Sequence, residues 1–207
     1  MVQTEKLIKL VVLKDIHMIR KTHIMSLQQV TETVGNVIGT NAGDTRPPAV
    51  IFDRDGSMAS VSYIAPTDKN KSSWRQFNAA LIFDAVVPEV AAILHAVRPG
   101  VVRIMTSGRA EGDHPGDRRR RMLMKSWLHK HSLPIDLLFM REGGDQRVDS
   151  TVKREIFQRH IEPFFDVRYV IDDRPQVVQA WRDLGLHVLQ VKDPGILPPI
   201  ARLDVNT

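Results

Sequence analysis

A chain of 207 residues accommodates one well-buried domain with additions and leaves two full domains cramped. Its 43% hydrophobic and 26% charged residues exclude general disorder; the absence of cysteine excludes disulfides, thiolate metal sites and a cysteine nucleophile. A formal net charge of +5 favours phosphates, nucleic acid or acidic surfaces without choosing among them.

In chain order, residues 1–48 form an N-terminal extension. Apolar positions at Leu7, Val11, Met18, Val30, Val34, Val37 and Ile38 partly fit helical spacing, although the first run reads equally as a strand. Lysines interrupt the apolar run 6–14 and no small-residue cleavage site follows it, so a secretory signal is not expected. No stretch is long enough to span a bilayer. The expectation is a cytoplasmic protein, or a host-cytoplasmic one for a viral source, with no membrane partner. The turn-rich stretch 39–48, with its glycines and prolines, separates this extension from a second unit over 49–207.

Within that unit, short β-branched runs predict strands at 49–52, 101–105, 137–140, 167–171 and 187–191, and between them helices are expected near 87–98, 118–131, 151–160 and 176–184. Pro88 suits a first helical turn, Ser150 a helix N-cap and Gly185 a helix stop. The alternation predicts an α/β fold, a Rossmann-like parallel sheet with helices on both faces, whose ligand lies at the carboxyl ends of the strands.

Those strand ends carry the reactive side chains. Val50-Ile-Phe-Asp-Arg-Asp-Gly-Ser57 places Asp53 and Asp55 two positions apart, on the same side of an extended segment, before a glycine that permits a sharp turn. One acid can attack phosphorus while the other moves a proton; an isolated D-x-D-G is equally an acidic turn capping a strand. Thr106-Ser-Gly-Arg109 brings hydroxyl, backbone N–H and guanidinium donors to the next strand end, the groups that bind phosphate, although Ser-Gly-Arg is also common turn chemistry. Lys153 falls in the first turn of a predicted helix, where a buried phosphate would explain its charge and a snorkelling surface lysine is the alternative. Asp149 either caps that helix or orients Lys153. Tyr169-Val-Ile-Asp-Asp-Arg174 again ends a strand in acids, Asp172 and Asp173, oxygen ligands of the kind magnesium prefers. The ordered conjunction at one sheet edge is what separates these segments from four unrelated turns.

In that order the segments resemble the four motifs of haloacid dehalogenase phosphatases. Met140-Arg-Glu-Gly-Gly-Asp-Gln-Arg-Val-Asp-Ser-Thr-Val-Lys153, Ile171-Asp-Asp-Arg-Pro-Gln-Val-Val178 and Trp181-Arg-Asp-Leu-Gly185 narrow the resemblance to the 3′-phosphatase domain of phage-type polynucleotide kinase phosphatases, over residues 49–191. The resemblance implies a haloacid dehalogenase fold over 49–207 with a small flap and no large cap. It implies that Asp53 is the nucleophile and becomes an aspartyl-phosphate, and that Asp55 is the acid and base. Magnesium would be held by Asp53, the Asp55 carbonyl and one or both of Asp172 and Asp173. Ser107 and Lys153 would bind the phosphoryl oxygens, with Gly108 in the same binding turn and Arg109 and Asp149 in support. Two departures stand out: Arg54 puts a large cation between the acids, and 59–68 lacks the arginine the family carries after its first motif, leaving Arg75 as a distant substitute.

The implied substrate is the 3′-phosphate end of DNA or RNA. Trp74 and Phe77 are candidates for stacking on a base, or core residues, and Arg118–Arg121 a candidate backbone track, or a solvated helix face. No G-x-x-x-x-G-K-[ST] sequence is present, so a kinase or ligase would be a separate partner. The alternatives are a nucleotidase acting on mononucleotides, a phosphorylated signalling domain, and a non-catalytic nucleic-acid end-binding protein.

Overall fold

The computed structural model describes residues 45–61, 77, 78 and 80–191. Most of the N-terminal extension, together with Trp74 and Arg75, lies outside the described residues. Strand β1 (Pro48–Asp53) is buried at every position. Because successive strand side chains point to opposite faces, Val50 and Phe52 enter one apolar cluster and Ala49 and Ile51 another. That two-sided burial explains why the strand reads as a continuous apolar run rather than an alternating one.

Around β1 stand β2 (Ala59–Ser60), a 3₁₀ turn over Ala80–Phe83, β3 (Ala85–Val86), α1 (Pro88–Ala96), β4 (Val102–Ala110), α2 (Arg119–Lys130), β5 (Leu137–Arg141), α3 (Asp149–Ile156), β6 (Asp166–Asp172), α4 (Pro175–Asp183) and β7 (Val188–Gln190). The main sheet has the order β5-β4-β1-β6-β7, and every pairing in it is parallel. Leu94 of α1 and Met124, Trp127 and Leu128 of α2 cover one face. Val152 and Ile156 of α3 and Val177 and Trp181 of α4 cover the other. This is the expected α/β class with helices on both faces, and no barrel closes. Antiparallel β2 and β3 form a small two-stranded flap beyond β1. Among the described residues no helix is long and apolar enough to cross a membrane.

Two differences from the sequence expectation move site residues. Strand β4 runs to Ala110 rather than ending at Met105, because β5 continues to pair with it through Ser107↔Met140 and, after a register shift, Ala110↔Arg141. Ser107, Gly108 and Arg109 therefore lie on an extended strand end that outruns β1, whose last partner is Thr106 opposite Asp53. Helix α3 begins at Asp149 with Val148 as its uncapped N-cap, so Ser150 is a helical residue and Lys153 sits two positions further into the helix than expected. The helix then widens into a π turn over Phe157–Ile161.

After β1 the chain reverses tightly: Met58 N–H donates to the Asp53 carbonyl at 3.3 Å, and Ala59 N–H to the Arg54 carbonyl at 2.7 Å. Gly56 adopts φ +90°, and a Cβ there would stand 2.1 Å from Oδ2 of Asp173. The turn and the end of β6 are thus fitted to each other at a point where only glycine has room. Gly56→Ala is expected to destabilise the protein by at least about 1–2 kcal/mol from the left-handed backbone alone, read as a lowered midpoint in urea unfolding; an unchanged midpoint contradicts this packing.

Candidate active site

The carboxyl ends of the adjacent strands β1 and β6 bring Asp53, Asp172 and Asp173 together, one carboxylate oxygen from each lying within 4.8 Å of the others. Lys153 reaches them from α3: Nζ donates to Asp53 Oδ1 at 2.6 Å and to Asp172 Oδ2 at 2.8 Å. Its partners are therefore carboxylates, which explains the burial of its charge without a phosphate. Trp181 of α4 donates its indole N–H to the same Asp172 oxygen at 3.1 Å, and Arg174 N–H approaches Oδ1 at 3.3 Å.

Charge in this cluster is unbalanced. Burial pushes the Asp53 carboxyl well above the ordinary carboxylate range; Lys153 opposes the shift, and Asp172, Asp173 and Asp55 add to it. Burial and then Asp172 raise Asp173 to about 6. Lys153 is raised above the ordinary lysine value, because Asp53, Asp172 and Asp149 outweigh the burial that would lower it. Asp53 Oδ2 is buried and has no hydrogen-bond partner. An unmatched oxygen in an all-oxygen donor set with excess negative charge fits a hard divalent cation.

Asp55 is held apart from that cluster. Burial would raise its carboxyl, but the charges of Arg54 and Arg109 and their hydrogen bonds more than reverse this and hold it below the usual range. Arg54 Nη1 lies 2.5 Å from Asp55 Oδ1, and Arg109 Nε lies 2.9 Å from both carboxylate oxygens. The Asp55 carboxylate is thus directed to arginines and not to the cluster of Asp53, Asp172 and Asp173.

Ser107 is fully buried, and its Oγ accepts from Arg109 N–H at 3.2 Å. Gly108 is a point of close approach: a Cβ there would meet Asp149 Oδ1 at 2.1 Å. Asp149 is ringed by cations, with Lys153 Nζ at 3.8 Å, Arg174 at 3.4 Å and Arg141 at 3.5 Å. Arg141 also donates to the Gly108 carbonyl at 2.6 Å, tying α3 to the end of β4. Asp149 therefore opens the helix and faces Lys153, without serving as the N-cap. Arg174, part exposed at this rim, stands in the field of Asp149, Asp53, Asp173 and Asp55, which raise its proton affinity against the effect of burial.

Other sequence candidates are placed elsewhere. Phe77 is buried under the Arg109 guanidinium, 4.0 Å from the ring centre, and offers no open stacking face. In the basic run, Arg120 turns inward to the Gly112 carbonyl and Asp113, and Arg121 to the Leu138 carbonyl at 2.7 Å and to Glu111. Arg119 is exposed but pairs with Asp117 at 2.7 Å. These arginines fasten the loop between β4 and α2. Sequence reading missed Asp84, which accepts from Arg54 at 2.9 Å and from Arg109 at 3.4 Å. No local pattern marks it. It also gave Trp181 and Arg141 no role of their own, although both stand in the segments that carry the resemblance.

A family model described as the polynucleotide kinase PNKP phosphatase domain matches residues 47–195. A protein of Autographa californica nuclear polyhedrosis virus, named as a bifunctional polynucleotide kinase/RNA ligase, is 28% identical over 147 residues, covering 70% of this chain and 19% of its own length. A solved chain of a Pnkp1/Rnl/Hen1 complex superposes with a TM-score of 0.60 at 29% identity, over 75% of this chain and 50% of that one. A chain of the Pnkp1/Rnl/Hen1 RNA repair complex gives the same TM-score and identity over 46% of its length. The chain thus spans half or less of each of these relatives. The class C acid phosphatase from Bacillus anthracis, 14% identical with a TM-score of 0.51 over 73% of this chain and 69% of that one, shares the fold. With the family match running through every strand end described above, the chain belongs to the PNKP phosphatase-domain family and is a phosphatase of the haloacid dehalogenase fold.

Proposed function

We propose that this phosphatase domain is a magnesium-dependent phosphomonoesterase that removes 3′-phosphates from polynucleotide ends through a phosphorylated Asp53. The observation that carries the chemistry is the unmatched, buried Oδ2 of Asp53 in a triad of acids with one lysine. Asp53 presents an oxygen that no protein donor holds back, and Lys153 fixes the other oxygen and so the direction of the first.

In the forward step an Asp53 oxygen bonds to phosphorus as the bond to the leaving 3′ oxygen breaks, and Asp55 supplies the proton that oxygen needs. In the second step Asp55 takes a proton from water as the water oxygen bonds to phosphorus, releasing inorganic phosphate and restoring Asp53. The resting clamp of Arg54 and Arg109 suits Asp55 to the second step, while the negative charge of an arriving phosphate favours the proton required in the first. Asp53, Asp172 and Asp173, with the Asp55 carbonyl, would hold magnesium, which when bound offsets charge on the transferring group. Lys153, Ser107 and the backbone at Gly108 would bind phosphoryl oxygens, and Asp149 and Arg109 would orient Lys153 and Asp55.

A polynucleotide substrate is supported by the family and by the net charge of +5. The RNA ligase and RNA repair complex named among the relatives favour RNA ends, with a kinase or ligase as separate partners. Magnesium-dependent phosphate release from matched 3′- and 5′-phosphorylated RNA and DNA oligonucleotides, with mononucleotides as competitors, tests the assignment. Preference for the 3′ end of the oligonucleotide is expected; equal or better turnover of mononucleotides would make the protein a nucleotidase instead.

Asp53→Asn is expected to abolish turnover while leaving the unfolding transition cooperative, since it removes the attacking charge and preserves shape; retained turnover excludes Asp53 as nucleophile. Lys153→Gln leaves buried carboxylates unpaired and is expected to cost about 3–5 kcal/mol in urea unfolding without metal. Millimolar magnesium should recover part of that loss by bringing positive charge to the same acids. A Lys153→Gln protein as stable as the parent, or one indifferent to magnesium, contradicts the charge imbalance on which the metal assignment rests.

A further inference from the structure

Arg54 occupies the position between the two reacting acids, yet its side chain is fully buried beneath the site. A guanidinium is retained in such surroundings only where its charge is matched, since apolar side chains fill equivalent space at lower desolvation cost; among the described residues Arg54 Nε is buried without a hydrogen-bond partner, and the matching falls to the two terminal nitrogens. Here Nη1 donates to Asp55 Oδ1 at 2.5 Å and to Asp84 Oδ2 at 2.9 Å, and Nη2 donates to the Leu81 carbonyl at 2.7 Å. The cation lies 4.5 Å from the centre of the Trp127 ring, and the Trp127 indole N–H donates to the Asp84 carbonyl at 2.8 Å.

Arg109 completes the arrangement from β4. It contacts both oxygens of Asp55 at 2.9 Å, reaches Asp84 Oδ2 at 3.4 Å and donates to the Phe77 carbonyl at 2.8 Å. Two arginines therefore converge on the same two carboxylates, making a closed ring of Asp55, Arg54, Asp84 and Arg109. Asp84 is also buried, and its Oδ2 lies between the two guanidinium groups. Its acceptor oxygen serves the two arginines.

We propose that Arg54 and Asp84 are positioning residues of the phosphatase reaction, holding the Asp55 carboxylate in a single orientation beside Asp53 through this ring. The inference rests on the proposed reaction, because it assigns Arg54 and Asp84 an effect only through the proton transfer of Asp55. A carboxylate at a turn has two rotatable bonds, and proton transfer requires it within hydrogen-bond reach of the leaving oxygen. Fastening one oxygen to Arg54 and both to Arg109 removes that freedom before substrate arrives.

The experiment compares kcat/KM in magnesium for a 3′-phosphorylated oligonucleotide, whose leaving alkoxide needs a proton, with that for p-nitrophenyl phosphate, whose leaving phenolate does not. This constant covers only the steps through formation of the phosphoenzyme. Arg54→Lys and Asp84→Asn are each expected to lower the oligonucleotide value by roughly 100-fold and the aryl phosphate value by about threefold or less. Combining either with Asp55→Asn should add no further loss on the oligonucleotide, because both routes end at the same carboxylate. Should Arg54→Lys not fold, Asp84→Asn carries the same comparison. Equal losses on the two substrates, or losses that multiply with Asp55→Asn, overturn the positioning role. Wild-type protein inert toward both substrates overturns the hydrolase reading itself, and a wild type active on both with unselective variants overturns this inference alone.

Discussion

Lys153 joins the two layers on which the site depends. Its ammonium ties Asp53 at the end of β1 to Asp172 at the end of β6, from a helix that packs Val152 and Ile156 into the core beneath the sheet. An ammonium buried to this degree is stable only against nearby carboxylates, and two buried carboxylates are tolerable only with a cation between them. Neither partner is satisfied without the other, so burial of α3 and alignment of Asp53 are one event. Trp181 extends the constraint to α4 by donating to the same Asp172 oxygen.

The acids of the site are then divided into two electrostatic groups. Asp55 shares the buried ring with Asp84, and two arginines balance those two carboxylates. Among the described residues Lys153 is the one cation paired with Asp53 and Asp172, Asp173 has no ion pair, and excess negative charge is left on the three acids. Placing a cation between Asp53 and Asp55 in sequence, and turning it under Asp55, is what separates the groups. One carboxylate is held at a fixed place between two arginines, while the other three are left short of positive charge.

Much of this was legible in the sequence because it is encoded by local pattern. The apolar run ending in Asp53 predicts a doubly buried strand with acids at its end, and the Asp172-Asp173 pair ends a second such strand. What local pattern cannot encode is the direction of a long side chain. Arg54 reads as a departure that puts a large cation between two acids, and only the fold shows that Leu81, Asp84 and Trp127 enclose it. Arg118–Arg121 reads as a basic track, and only the loop folded back from β4 shows Arg120 and Arg121 spent on its carbonyls and acids. Ser150 fails as an N-cap for a related reason. Asp149, one residue earlier, is drawn against Gly108 and toward Lys153, and the helix starts there to accommodate it.

The inward arginines also change how the net charge can act on a polyanion. A net charge of +5 distributed over a surface attracts phosphates weakly at any one point. With Arg120 and Arg121 engaged inside the β4–α2 loop, the cations left near the catalytic edge belong to the start of α3 and α4, where part-exposed Arg174 borders Asp149 and exposed Arg147 pairs with Asp145 and Glu155. Helix α4 begins immediately after Asp173, and its N-terminal end, positive by its peptide dipoles, adds to the same side. Among the described residues, the field at this edge therefore comes from partly neutralised groups set close to the acids. Groups neutralised in this way act on an anion through short-range complementarity more than through long-range steering.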